Sequence, residues 1–78
     1  SSLMNSLTIA VGSNDHVTAK LHSHSLKGAA ANVKADELYE AAKTLNDCYK
    51  NSQIAKVQEA FCQVQAAYER LQKKLAGY

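Results

Sequence analysis

Three histidines, His16, His22 and His24, are the side chains of this sequence best suited to chemistry near neutral pH. A neutral imidazole can act as nucleophile, general base or metal ligand, and its neighbours decide which. His22 and His24 stand two residues apart, so on a helix they diverge by about 160°, and the i, i+4 pair of a helical zinc site is absent. Cys48 and Cys62 are not in metal-ligand spacing either, and read as reduced, structural thiols. No serine or cysteine sits in a recognisable nucleophile motif, and there is no Gly-rich phosphate loop with its lysine and hydroxyl. The chain is therefore expected to bind neither ATP nor a metal, to need no cofactor, and not to phosphorylate itself.

The surroundings of His24 are more specific. Residues three, four and seven apart share a helix face, which gives His24 the neighbours Val17, Lys20, Leu21, Lys27, Gly28 and Ala31. Ala19 and Leu26 fall roughly opposite, with Ala30 and Val33 nearby, and read as the core face. His24 is then expected near the surface between two ammonium groups. His22 lies towards Leu26 as a half-buried packing residue, and His16 is a solvated residue of the first turn. On spacing alone Lys20 and Lys27 read as an ordinary solvated edge. Gly28 costs its helix about 1 kcal/mol relative to alanine. Either it clears space for a partner beside the imidazole, or it lets two helices pack closely.

The composition is that of an all-helical domain: 78 residues, no proline and three glycines. Such a length allows one small domain with a thin core, here taken as residues 1–78. The net charge of +2 comes from interspersed lysines and acids, which argues against nucleic acid as a partner. No apolar run approaches the roughly 20 residues of a membrane span, and there is no signal-peptide pattern.

Ile54, Val57, Phe61, Val64, Tyr68, Leu71, Leu75 and Tyr78 form an apolar stripe on a last helix expected over 53–76, with Ser52 as N-cap. Leu38, Ala41, Ala42, Leu45 and Cys48/Tyr49 form another over 36–50, where Asp36 and Glu37 suit the positive helix start. A third helix is expected from Asn14 to Ala31, with Ser13 or Asn14 as its cap and Gly12 closing the helix before it. "SLMNSLTIAV" then makes a short first helix with Leu3, Leu7, Ala10 and Val11 on one side. Short loops between amphipathic helices imply an up-and-down antiparallel four-helix bundle. Its first helix is much shorter than its last, so part of the apolar face should lie open, covered by residues preceding Ser1 or by a second copy of the chain.

The stretch "HSLKGAAAN", His24 to Asn32, resembles the phospho-acceptor motif of histidine-containing phosphotransfer (HPt) domains, roughly H-x-L-K-G followed by small residues. The resemblance extends over about Ser13 to Tyr78, through the "NV" link, an "A-D-x-L" helix start and a long closing helix. It implies that His24 is the phosphorylated histidine, that Lys27 lies near the phosphoryl group, and that Gly28 leaves room for a partner. Asn46 matches a polar residue that contacts the imidazole or its surroundings. Lys50 matches a basic residue of some members, and Lys43, Asn46 and Lys50 share one edge of their helix. Two positions depart from the family pattern. A second glycine is replaced by Lys34, so Asn32 is expected to take the left-handed conformation instead. Ala29 stands where serine is common.

The partner implied is a response-regulator receiver domain, which supplies an aspartyl phosphate and bound Mg²⁺. It would dock over Val17, Leu21, Gly28 and Ala31, with Lys20, Lys27, Asn46 and Lys50 around the imidazole. The chain would then be a phosphorelay intermediate, a cytoplasmic module of a hybrid sensor histidine kinase. The alternative is a helical interaction module whose histidine is never phosphorylated.

Overall fold

A computed structural model describes the backbone of residues 2–76 and the side chains of residues 3–74. It contains four α-helices, α1 (Ser2–Gly12), α2 (His16–Asn32), α3 (Asp36–Lys50) and α4 (Val57–Ala76), the last entered through a short 3-10 turn, Ile54–Lys56. Helices adjacent in sequence pack side by side, α1 on α2, α2 on α3 and α3 on α4, in a body of 39 × 19 × 19 Å. This is the expected all-α, up-and-down bundle. Among the described residues no helix is long and apolar enough to cross a membrane.

The periodic stripes form the core. Leu7 of α1, Ala19 and Leu26 of α2, Leu45 of α3 and Val64 of α4 are all buried within one cluster. Burying a leucine or valine fully contributes about 1.5–3 kcal/mol, which makes Leu7, Leu45 and Val64 the main anchors of a small domain. At the surface, Arg70 of α4 grips Glu37 of α3 with two hydrogen bonds of 2.7 and 2.8 Å. The guanidinium holds the Glu37 carboxyl below its ordinary range.

The three connections share one geometry, and it corrects several expectations. Asn14, Lys34 and Ser52 each adopt positive φ, at 56°, 56° and 58°. Each donates its N–H three residues back, to Val11, Ala31 and Tyr49. The next residue donates five back: Asp15 to Ala10 (2.9 Å), Ala35 to Ala30 (2.9 Å) and Gln53 to Cys48 (2.7 Å). Each is a Schellman closure, and the residue that completes it begins the following helix. Hence Asp15, not Ser13 or Asn14, caps α2, its carboxylate accepting from the Thr18 N–H at 3.2 Å. Likewise Ser52 is not a cap; Gln53 precedes the 3-10 turn. Gly12 ends α1 as expected, while Asn14 makes the reversal. At the α2–α3 joint Lys34 itself, not Asn32, turns left-handed, because the hydrogen-bond pattern fixes that position whatever the side chain.

Two expected core positions also differ. Val33 lies just beyond the end of α2 and is 64% exposed, and Ile54 at the 3-10 turn is exposed as well. α1 has 11 residues and α4 has 20, about 17 Å against 30 Å. Even so, no large apolar side chain of the described part of α4 is exposed; Tyr68 and Leu71 are half-buried against the core. The open apolar face expected from the length mismatch is not found there. Leu75 and Tyr78 of the expected stripe lie outside the described side chains.

Candidate functional site

α2 has two working faces. Towards the core it presents Ala19, Ser23, Leu26 and Ala30, spaced by three and four. On the other face stand Val17 and Leu21, 82% and 62% exposed, with His24 one turn beyond Leu21 and also exposed. Between this face and α3 runs an open groove of about 500 Å³. Lys20 and Lys27 line it from α2, Lys50 lines it from α3, and Val17 and Leu21 form its apolar part. His24 opens into it, as does Asn46 of α3. No carboxylate lines the groove.

The register of α3 explains its share. Asn46 and Lys50 are four residues apart, so they form one edge where the apolar stripe of α3 meets the surface. Asn46 is 7% exposed, and its Oδ1 accepts a hydrogen bond from Ser23 Oγ at 3.3 Å. Ser23 is completely buried and also donates to the Lys20 carbonyl at 2.9 Å. The bond that Asn46 makes is thus to Ser23 and not to the His24 ring.

The structure brings together His24, Lys20, Lys27, Asn46, Lys50, Val17 and Leu21, and leaves Gly28 and Ala31 exposed on the same helix face outside the groove lining. A Cβ added at Gly28 would meet nothing within 4 Å, so no neighbouring helix packs against this glycine. The same holds at Gly12, so empty space alone does not distinguish a functional glycine. Lys43 is exposed and lies outside the groove. His22 is half-buried, as expected. His16 is exposed in the first turn, and its ring lies 5.8 Å from that of Tyr49 at 41°, a contact between helices that the spacing within α2 could not reveal.

Ser23 was not among the residues that spacing singled out. Its signal was a hydroxyl on the otherwise apolar stripe 19–23–26–30, matched by an amide on the stripe of α3. The cysteines stand apart from the groove. Cys48 is buried, which pushes its thiol up, and Cys62 is exposed; neither is in a disulfide. Among the described residues, no group of three or more His, Cys, Asp and Glu side chains could hold a metal ion.

The Hpt domain family model matches residues 1–74, and the chain belongs to that family. Hpt domains are phosphotransfer intermediates of two-component signalling, distinct from kinases, and they interact with receiver domains. No curated protein and no solved structure matches the chain significantly.

Proposed function

We propose that His24 is the phospho-acceptor, taking a phosphoryl group from the aspartyl phosphate of one receiver domain and passing it to another. The observation that carries this reading is the groove: one exposed imidazole, three lysines and no carboxylate. The unprotonated ring nitrogen of His24 attacks phosphorus while the other nitrogen keeps its proton. A P–N bond forms, the P–O bond to the aspartyl group breaks, and aspartate leaves as a carboxylate. Lys20, Lys27 and Lys50 offset the negative charge on the phosphoryl oxygens during transfer. The receiver brings its own Mg²⁺. It docks over Val17 and Leu21, whose exposure would otherwise be unfavourable, and closes over Gly28 and Ala31, where there are no large side chains. The setting is a cytoplasmic relay, with this chain as a module of a hybrid sensor kinase.

Incubation with a phosphorylated receiver tests the assignment. The label should be acid-labile and base-stable, should vanish in His24→Gln, and should persist in His16→Gln and His22→Gln. Label retained by the His24 variant would sink the proposal.

A further inference from the structure

Ser23 and Asn46 are the two buried polar side chains among the described residues, and they are bonded to each other across the α2–α3 interface. A buried polar pair in so small a core gives stability no better than an apolar pair of the same shape. Asn46 lines the His24 groove, and Ser23, bonded to Asn46 from within the core, is adjacent to His24 in the chain. We infer that Ser23 is a positioning residue: it fixes the Asn46 amide so that the N–H end faces a phosphoryl group on His24. This rests on the assignment of His24 as acceptor.

The hydrogen-bond inventory leads to this orientation. Ser23 has one hydroxyl proton, shared between the Lys20 carbonyl at 2.9 Å and Asn46 Oδ1 at 3.3 Å. With Oδ1 turned towards Ser23, the other end of the amide is Nδ2, which has two donor hydrogens. Every buried side-chain nitrogen and oxygen among the described residues has a partner. Nδ2 has none among the described residues, so it is not sealed in the core, and the groove is the cavity that Asn46 lines. A neutral donor there adds a directed hydrogen bond to the diffuse attraction of Lys20, Lys27 and Lys50. Lysine ammonium groups on flexible stems attract a dianion without fixing its orientation; an amide clamped from below can fix it.

The test measures receiver-to-chain transfer across receiver concentrations, together with thermal melts, for Ser23→Ala, Asn46→Ala, the double variant and Asn46→Asp. Ser23→Ala and Asn46→Ala should each slow the plateau rate about threefold to tenfold, as expected for one hydrogen bond, without changing the receiver concentration at half-plateau. The double variant should be no slower than Asn46→Ala, since Ser23 acts through Asn46. Asn46→Asp keeps the acceptor towards Ser23 but removes the donor, and should be the slowest of all. A lowered melting temperature with plateau rates unchanged would show a purely structural pair and overturn the inference. So would Asn46→Asp at the wild-type rate, which decides the matter even if Ser23→Ala fails to fold. An unlabelled wild-type chain would instead overturn the assignment of His24 itself, whereas a labelled wild type with indifferent variants overturns this inference alone.

Discussion

α2 and α3 pack side by side, yet they use their apolar residues in opposite ways. α3 turns Leu38, Leu45 and Tyr49 inward and leaves polar side chains outside, the ordinary economy of a surface helix. α2 buries mainly small residues, Ala19, Ser23 and Ala30, with Leu26 its one large core side chain. Its other large apolar residues, Val17 and Leu21, face solvent beside His24. A helix that serves only its own core shows a clean stripe. The docking proposed for a receiver would use the second apolar face of α2, which gives its weak amphipathicity a role.

The sharpest way to break this contrast is a matched pair of truncations. Leu45→Ala should cost about 2–5 kcal/mol of stability, the range for a fully buried leucine. Leu21→Ala should move stability by no more than about 0.5 kcal/mol, while raising the receiver concentration needed for half-maximal transfer. Chemical denaturation and transfer titrations on the two variants check both. A Leu21 variant that melts early would mean that the outer face of α2 supports the fold after all.

Lys27 tests the charged part of the same face. If its ammonium stabilises the transferring group, Lys27→Ala should raise the barrier by about 1–3 kcal/mol and leave the melting curve nearly unchanged. Transfer at the wild-type rate would reduce the lysine to a solvated edge.

Gly28 separates partner access from helix stability. Nothing lies within 4 Å of a Cβ built there, so Gly28→Gln should keep the fold and raise stability by up to about 1 kcal/mol through helix propensity. Phosphotransfer should nevertheless fall steeply, because the longer side chain projects beside the imidazole where the receiver must approach. A destabilised variant that still transfers rapidly when folded would refute this role for the glycine.

How far these features were legible in the sequence follows the same division. α3 was readable to its ends, since its stripe is clean and Asp36, Glu37 and Lys50 mark its termini. The face of His24 with Lys20, Lys27, Val17 and Leu21 was also readable, because one helix carries all of it. Asn46 and Lys50 entered only by resemblance to the HPt motif, as periodicity within a helix says nothing about which edge of the next helix lies alongside. The Ser23–Asn46 and His16–Tyr49 pairs escaped for that reason: both cross between helices. The joints were misread at Asn14, Ser52 and Asn32 because a Schellman closure is made by backbone groups alone. Glycine favours its left-handed position but is not required there.

Lys34, at the joint between the two contrasted helices, gives the smallest effect. It holds φ at 56°, where a side chain with a Cβ costs about 1–2 kcal/mol relative to a right-handed residue. Glycine removes that cost but adds freedom to the unfolded chain, worth about 0.5–1 kcal/mol in the opposite direction. Lys34→Gly should therefore stabilise the domain by about 0–1.5 kcal/mol after this offset. Asn14→Gly should gain less, because asparagine already tolerates the left-handed region. Lys34 does not line the groove, so the transfer rate should stay the same while the melting temperature rises. A loss of stability in Lys34→Gly would show that the lysine side chain, and not the backbone hydrogen bonds to Ala30 and Ala31, holds α2 against α3.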